Sequence, residues 1–149
     1  MLYLRKVLYS DCDLLYKWAN DEKIRKNAFN SEKIKYEDHI EWFNDKIKNS
    51  SILIYILEYE NIPIGQIRVN IENNAGIIDY SIEEKYRGKG FGTKLLNLFV
   101  KEIINSKLEV NKLVGQVKFN NISSQKVFEK SKYLKVEKEE YIEYSKLLK

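Results

Sequence analysis

The chain has 149 residues, of which 44% are hydrophobic and 32% charged, and a formal net charge of +4. This length and composition are typical of one globular domain, which we expect to span residues 1–149, and they exclude a disordered or fibrous chain. The single cysteine excludes an intrachain disulfide framework and, with the single histidine, argues against a metal site. Without a long basic run or an apolar stretch of about 20 residues, we expect no nucleic-acid partner, no membrane span and a cytoplasmic location.

The first third of the chain predicts one strand and two helices. Alternating residues predict a strand over Tyr3–Leu8 rather than a signal peptide. Ser10 is predicted to cap a helix that ends near Asn20, and apolar residues at helical spacing predict a second helix over Tyr36–Lys48. The polar segment from Lys23 to Lys35 has no clear periodicity and is expected to be irregular, with at most a short helical turn.

The middle of the chain predicts an antiparallel meander of three strands joined by short turns. The strands are Ser51–Tyr59, Ile64–Ile71 and Ile77–Ile82. A glycine-rich loop and a helix to about Ser106 come next. The remaining elements alternate between strand and helix before two closing strands: Lys112–Val117, Asn121–Lys130, Tyr133–Val136 and Tyr141–Leu148.

The glycine-rich loop, residues 87–92, lies between a predicted strand and the start of a predicted helix. Unpaired N–H groups in the first helical turn, together with the helix dipole, favour an anion, commonly a phosphate. Glycines let phosphate oxygens approach the backbone, and Arg87 and Lys89 add positive charge. A flexible turn is the alternative interpretation. The glycine spacing fits neither a Walker loop nor a dinucleotide-binding fingerprint.

Two motifs resemble the GNAT family of acyl-CoA N-acetyltransferases. The family's loop reads Arg/Gln-x-x-Gly-x-Gly/Ala and is matched by Arg87, Gly90 and Gly92. Its second motif, Asn-x-x-Ala/Ser-x-x-x-Tyr followed by Gly-Phe, is matched by Asn121 and Ser124. Phe128 and Lys132 stand where that motif has Tyr and Gly. The order of predicted elements also resembles this family over nearly the whole chain.

The resemblance implies an α/β (α+β) GNAT fold, with a central, mostly antiparallel sheet of about seven strands and about four helices. It also implies that parallel strands 4 and 5 splay apart and hold the pantetheine arm of acetyl-CoA between them. The residues that the resemblance assigns to the cofactor are Ile82 and Glu83 through their backbone, Arg87, Gly88, Lys89, Gly90, Phe91, Gly92, Thr93, Asn121, Ser124 and Phe128.

Acetylation of an amine needs a base, an N–H donor for the developing oxyanion and a stabilised thiolate. Asp79 and Ser81 alternate on one face of their strand and are the candidate catalytic residues, although Asp79 fits a solvated position equally well. The oxyanion donor is expected in the backbone near Ile82. Phe128 lacks the hydroxyl that many family members use to help the thiolate leave. Either the thiolate leaves unaided, or Ser81 or Tyr80 serves through water.

The acceptor is expected to contact the region between the first two helices. This region resembles the GNAT subgroup that acetylates amino groups of nucleotide-linked sugars, including the pseudaminic acid pathway. The candidate acceptor residues are Asn20, Arg25, Phe29, His39 and Tyr80. Arg25 as a surface cation and His39 as a packed residue are the alternatives, and both tryptophans favour the core.

Three functions stay open from the sequence. The preferred one is acetylation of a small amine on a nucleotide sugar, with acetyl-CoA as the other partner. The region between the first two helices also resembles the acetylases of ribosomal-protein N-termini, so a peptide acceptor is the runner-up. A catalytically silent acyl-CoA-binding module is the third. The sequence leaves the oligomeric state open, including a homodimer.

Overall fold

The computed structural model describes residues 1–148, so Lys149, the last residue of the expected domain, lies outside the described part. Its centre is a seven-stranded sheet with the strand order β1-β2-β3-β4-β5-β7-β6. Neighbouring strands are antiparallel except β4 and β5, which are parallel. The strands are β1 Leu2–Lys6, β2 Ile52–Tyr59, β3 Ile62–Glu72, β4 Ala75–Ile82, β5 Lys112–Val117, β6 Leu134–Glu137 and β7 Ile142–Leu147. The predicted mixed sheet is confirmed.

Within residues 1–148 the structure has five α-helices, one more than predicted. They are α1 Cys12–Ala19, α2 Glu22–Asn27, α3 Tyr36–Ile47, α4 Phe91–Asn105 and α5 Ile122–Lys130. Helices α1 and α3 cover one face, where Trp18 and Phe43 pack with Ile54 and Ile56 of β2. Helices α4 and α5 contribute to the larger core on the other face. Within residues 1–148, no helix combines the length and apolarity needed to cross a membrane.

The structure differs from the prediction at Ser10 and extends it in the segment that follows α1. Ser10 does not cap α1, because it lies inside a 3-10 turn, Tyr9–Asp11, that is closed by a hydrogen bond from the Leu8 N–H to Asp11 Oδ2 at 2.7 Å. The segment expected to be irregular with at most a short helical turn begins with the six-residue helix α2. The Asp21 side chain caps this short helix by accepting from the N–H groups of Lys23 and Ile24, as a good N-cap residue does.

The two hairpin turns are tighter than predicted. Left-handed backbone conformations occur at Glu60, Asn61, Asn73 and Asn74, with φ between 51° and 66°. Two consecutive residues with positive φ form the hairpin turn whose twist matches that of the flanking strands. Strand β3 therefore begins directly after Asn61, and β4 directly after Asn74.

Strands β4 and β5 separate after four residue pairs. The parallel ladder runs from Ala75–Lys112 to Ile78–Gly115 and ends there, whereas β4 stays paired with β3 as far as Ile82. We call the resulting gap, between residues 79–82 of β4 and 116–117 of β5, the wedge. The wedge confirms the predicted splay of strands 4 and 5.

Candidate active site

The glycine-rich loop leads into α4 with a row of free N–H groups. Gly88 and Gly90 have φ values of 76° and 85°, a conformation that glycine adopts without strain. Gly90 is the N-cap of α4 and offers no side chain to the helix end. Within residues 1–148, the N–H groups of residues 88–93 donate no hydrogen bond to the protein. A Cβ at either glycine would meet no heavy atom within 4 Å. The loop is therefore an open, unsatisfied anion site.

The wedge presents a second set of free backbone groups. The Glu83 N–H donates to the Ile64 carbonyl of β3 at 2.7 Å. Because backbone groups alternate along a strand, those of Tyr80 and Ile82 point the other way, towards β5. The β4–β5 ladder has already ended at this point. An extended ligand can therefore pair with β4 here as an added strand does.

Some backbone and side-chain groups of the predicted cofactor residues already form hydrogen bonds within the protein. The Ile82 carbonyl accepts from Arg87 Nε at 2.8 Å, so Ile82 offers its N–H. The Glu83 side chain accepts from the Lys85 N–H at 3.1 Å, and its own N–H is used by β3. The Asn121 Oδ1 caps α5 by accepting from the Ser124 N–H at 3.3 Å, which leaves its amide nitrogen for a ligand.

Arg87 is paired with a carboxylate inside the protein. Its Nη2 lies 2.9 Å from Asp21 Oδ1, the oxygen that caps α2. Burial alone would raise the pKa of Asp21, but the hydrogen bonds from Arg87 and from the Ile24 and Lys23 N–H groups outweigh it and lower the pKa. The sequence predicts Arg87 as a charge beside the loop. In the structure Arg87 also links the loop to the N-terminus of α2.

A single cleft of about 1060 Å³ runs from the loop through the wedge to the face covered by α1 and α3. Its charged lining comprises six basic and two acidic residues: Lys23, Arg25, Arg68, Arg87, Lys126 and Lys130, with Asp38 and Asp79. Two substrates could meet in it, one entering from the loop and the other from the helix side. We call the helix side, formed by α1–α3 and the facing residues of β3 and β4, the acceptor side.

Polar side chains on β3 and β4 form the floor of the acceptor side. Arg68 Nη2 lies 3.3 Å from Asp79 Oδ2, and the Asp79 side chain is 56% exposed. The Arg68 guanidinium also lies over the Trp42 ring, 5.1 Å from its centroid. Ser81 is buried, and its Oγ accepts from Gln66 Nε2 at 3.2 Å. Asp79 is thus accessible to an acceptor amine, whereas Ser81 is buried and hydrogen-bonded to Gln66.

The loop between α2 and α3, residues 28–35, forms one wall of the acceptor side. The Asn20 side chain holds this loop through two hydrogen bonds of 2.8 Å: its Nδ2 donates to the Ile34 carbonyl, and its Oδ1 accepts from the Ile34 N–H. Arg25 Nη1 donates to the carbonyls of Asn30 and Glu32 at 3.1 and 3.2 Å. Phe29 is 57% exposed and lines the cleft. Asn20 therefore positions the wall, whereas Arg25 and Phe29 both shape it and line the cleft.

His39 lies under this wall as a packed residue. It is 3% exposed, and its Nε2 lies 2.8 Å from the Cys12 carbonyl. A carbonyl only accepts, so Nε2 carries the proton. The ring lies nearly parallel to the rings of Trp42 and Phe43, with centroid distances of 5.7 and 6.3 Å. Although His39 borders the cleft, its contacts are those of a core histidine.

Comparison with known proteins decides the family. The profile described as "Acetyltransferase (GNAT) domain" matches residues 1–133. The chain belongs to the GNAT acetyltransferase family. It is therefore an acetyltransferase whose co-substrate is acetyl-CoA, and the free N–H groups of the loop and the wedge fit the phosphates and the pantetheine arm of that molecule. No curated protein matches the chain significantly.

Solved structures share the fold of this acetyltransferase at low identity. AAC(6')-Ib in complex with ribostamycin and coenzyme A is 22% identical with a TM-score of 0.84, covering 98% of this chain and 93% of the other. Spermidine N-acetyltransferase from Vibrio cholerae, in complex with CoA and spermine, is 17% identical with a TM-score of 0.87, covering 99% and 95%. RimL, a ribosomal L7/L12 acetyltransferase in complex with coenzyme A, is 16% identical with a TM-score of 0.83, covering 98% and 93%.

Phe128 stands where the second motif of the family has a tyrosine, so the acetyltransferase has no phenolic hydroxyl at this position. Phe128 is 2% exposed and packs in an aromatic cluster, with ring centroids 5.1 Å from Tyr144, 5.0 Å from Tyr133 and 5.9 Å from Tyr80. Its ring tip points at Gly115, where an added Cβ would lie 2.3 Å from Cζ. The ring therefore fills the space that a tyrosine hydroxyl would need.

Sequence reasoning missed Arg68 and Gln66 and assigned Trp42 to the core. All three line the acceptor side. A signal was present, because Gln66, Arg68 and Asn70 alternate with apolar residues along β3, which places them on the same face. Their contact with β4 follows from the strand register, in which Gln66 faces Ser81 and Arg68 faces Asp79.

Proposed function

We propose that this acetyltransferase transfers the acetyl group to the primary amine of a nucleotide-linked amino-deoxy sugar. The observation that carries the proposal is the charge of the acceptor side. Three basic residues, Lys23, Arg25 and Arg68, line it together with two acidic ones, Asp38 and Asp79. A basic surface favours an acceptor that bears phosphates.

The same charge argues against polycationic acceptors. Spermine and ribostamycin, the compounds bound by two of the compared proteins, carry several amines and are best matched by several carboxylates. Here the described lining of the acceptor side has two carboxylates, Asp38 and Asp79, against three cations. A nucleotide sugar needs a single carboxylate near its amine and cations near its diphosphate, in keeping with this lining.

Aromatic residues support the nucleotide half of the proposal. Phe29 is exposed at the rim of the cleft, and its ring meets Tyr141 edge-on at 6.0 Å. A flat exposed ring can stack with a base or a sugar face. Arg25, which shapes the same wall, can place its free donors on the diphosphate. Base and diphosphate would then lie at the rim, with the amino sugar inward towards Asp79.

The chemistry is a direct transfer within one ternary complex. The neutral amine attacks the thioester carbon, and Asp79 takes up the proton that the amine loses. The Ile82 N–H, which faces the wedge, stabilises the developing oxyanion. A covalent enzyme intermediate on Cys12 is disfavoured, because burial and the neighbouring Asp13 raise the pKa of its thiol. We also propose that residues 1–149 act as a single domain, since one continuous cleft offers room for both substrates.

The test is the initial rate of CoA thiol release with four acceptors at equal concentration: a UDP-linked amino-deoxy sugar, spermidine, kanamycin and a short peptide with a free N-terminus. We expect kcat/KM to be highest for the nucleotide sugar. The same amino sugar without its nucleotide is the matched control, and we expect a kcat/KM at least about tenfold lower, because the phosphate contacts are lost.

UDP alone provides a second measurement. It should inhibit competitively against the nucleotide sugar and leave the KM of acetyl-CoA unchanged. A higher kcat/KM for spermidine or kanamycin would contradict the proposal and point to a polyamine-type acceptor. Preference for the peptide would favour an N-terminal acetyltransferase instead, and acetyl-CoA binding without turnover of any amine would indicate a silent binding module.

A further inference from the structure

We propose that Tyr80 is the catalytic hydrogen-bond donor that stabilises the departing CoA thiolate, in place of the hydroxyl that Phe128 lacks. The proposal rests on the acetyl transfer that the family assignment gives, and not on the identity of the acceptor.

Tyr80 lies where the acyl thioester has to pass. It is the second residue of β4 beyond the last β4–β5 pair, so it stands inside the wedge. Its side chain points to the face covered by α4 and α5. There the ring packs against the first turn of α4, with Cε2 3.5 Å from the position of a Cβ on Gly92. A thiol arm that enters between the loop and α5 must run beside this ring.

The phenol of Tyr80 is held in place by α5. Its Oη lies 2.9 Å from Ser124 Oγ, and either atom can be the donor. The ring also meets Phe128 edge-on, with a centroid distance of 5.9 Å. One hydroxyl from β4 therefore reaches the helix that carries Phe128. It supplies a phenolic O–H group beside Phe128, which has none.

The other hydroxyls near the wedge are less suitable. Ser81 is buried on the opposite face and accepts a hydrogen bond from Gln66. The Tyr133 hydroxyl is buried behind Phe128 and has no partner within the described residues. Ser124 borders the cleft, but as an aliphatic alcohol it is a weaker donor than a phenol. Tyr80 is the phenol that faces both the wedge and α5.

The acidity of Tyr80 makes it a hydrogen-bond donor rather than a proton donor. Burial, with a smaller contribution from the charge of Asp79, raises its pKa to about 12, against the lowering effect of Ser124. A thiol has a pKa near 8.5, so the proton stays on Tyr80. The carbon–nitrogen bond forms, the carbon–sulfur bond breaks and its electron pair goes to sulfur. The amine releases one proton, and the thiolate takes one from solvent after it leaves.

Tyr80→Phe tests this role, because it removes the hydroxyl and keeps the ring. We expect kcat to fall by about 10- to 100-fold, the value of one hydrogen bond to a charged group, while the affinity for acetyl-CoA stays within about twofold. A second readout needs no acceptor. The ultraviolet absorbance of the thiolate reports the pKa of enzyme-bound CoA, and we expect that pKa to be at least about one unit higher in Tyr80→Phe than in the wild type.

Tyr133→Phe is the matched control, because it removes a phenol from the same aromatic cluster outside the cleft, and it should change neither kcat nor the pKa of bound CoA. Ser124→Ala is a second variant. It should lower kcat less than Tyr80→Phe does, because Tyr80 keeps its hydroxyl and can still donate a hydrogen bond to the thiolate.

The proposal is overturned if Tyr80→Phe leaves kcat and the thiol pKa unchanged, or if it weakens acetyl-CoA binding as much as it lowers kcat. A larger effect of Ser124→Ala would assign the donor to Ser124 and also overturn it. Failure of the nucleotide-sugar proposal would leave the thiol titration unaffected, so the two proposals can fail separately.

Discussion

Arg68 and Asp79 face each other across β3 and β4, and their side chains form an ion pair with Nη2 3.3 Å from Oδ2. The same guanidinium lies over the Trp42 ring of α3. Arg68 thus joins the sheet to the helix that covers it. A planar guanidinium can do this because it binds a carboxylate at its edge and an aromatic ring with its face.

Arg68→Met should therefore weaken acceptor binding. We expect the KM of the nucleotide sugar to rise about tenfold, because the acceptor side loses one of the cations that attract a phosphate-bearing molecule, and the KM of acetyl-CoA to stay constant. Arg68→Lys is the matched control and should fall between wild type and Arg68→Met, since it keeps the charge but not the planar stacking. Initial rates at varied acceptor concentration measure the effect. A change confined to the KM of acetyl-CoA would contradict it.

Gly90→Glu should abolish CoA binding. The new side chain would project into the open space beside the loop and place a negative charge where phosphates are expected to sit. We expect at least about a 100-fold loss of affinity, measured by calorimetry with CoA. Gly90→Asn controls for the backbone, because asparagine tolerates the positive φ of this position. Retained affinity in Gly90→Glu would count against the loop as the phosphate site.

Phe128→Tyr should destabilise the fold rather than improve catalysis. The added hydroxyl would extend from Cζ towards Gly115, where space is already lacking. Overpacking of this kind costs about 1–3 kcal/mol, which would appear as a lower Tm. Phe128→Leu controls for loss of the ring without overpacking. An unchanged Tm together with a faster turnover would show that α5 moves to accommodate the hydroxyl.

Tyr133 and Tyr144 form a matched pair around Phe128 with opposite expected effects. The Tyr133 hydroxyl is buried without a partner in the described chain, so Tyr133→Phe should raise the free energy of unfolding by about 1 kcal/mol. The Tyr144 hydroxyl donates to Glu129 Oε2 at 2.6 Å, so Tyr144→Phe should lower it. Urea unfolding of both variants provides the comparison, and a loss of stability in Tyr133→Phe would indicate a partner such as bound water.

Arg5 should make the stability depend on pH in the acidic range. It binds Asp11 at 2.8 Å and Glu58 at 2.5 Å. Burial would raise the pKa of Asp11, but the hydrogen bonds from Arg5 and from the Leu8 N–H outweigh it, so the pKa is lowered. Hydrogen bonds from Arg5 and Tyr3 lower the pKa of Glu58. Carboxylates with lowered pKa values stabilise the fold above their ordinary values of 3.8 and 4.5, and this contribution is lost as the pH falls through the folded pKa values.

The expected result is that Arg5→Met destabilises the protein at neutral pH and that its difference from wild type shrinks below about pH 4. Urea unfolding at several pH values measures this. Lys17→Met is the control. It breaks a long 3.4 Å pair with Glu83 in which the Lys17 side chain is 70% exposed, so it should have little effect at any pH. A constant difference between Arg5→Met and wild type would contradict the assignment.

The sequence predicted the features that depend on local pattern. Alternation located the strands, and the glycine spacing located the loop that precedes α4. It could not show that Arg87 is paired with Asp21, because that contact joins residues far apart in the chain. The contact between Arg68 and Asp79 likewise depends on strand register. Helix α2 was expected as no more than a short turn, because its six residues carry no apolar stripe, and the Asp21 cap defines its start.

The early end of the β4–β5 ladder leaves a seam through the middle of the sheet. Four residue pairs join the half made of β1–β4 to the half made of β5, β7 and β6. A molecule that pairs with β4 along the seam contributes backbone hydrogen bonds that the chain does not make for itself. The stability of the folded protein should consequently rise with the concentration of acetyl-CoA. In protein purified without acetyl-CoA, residues 79–82 should open locally more often.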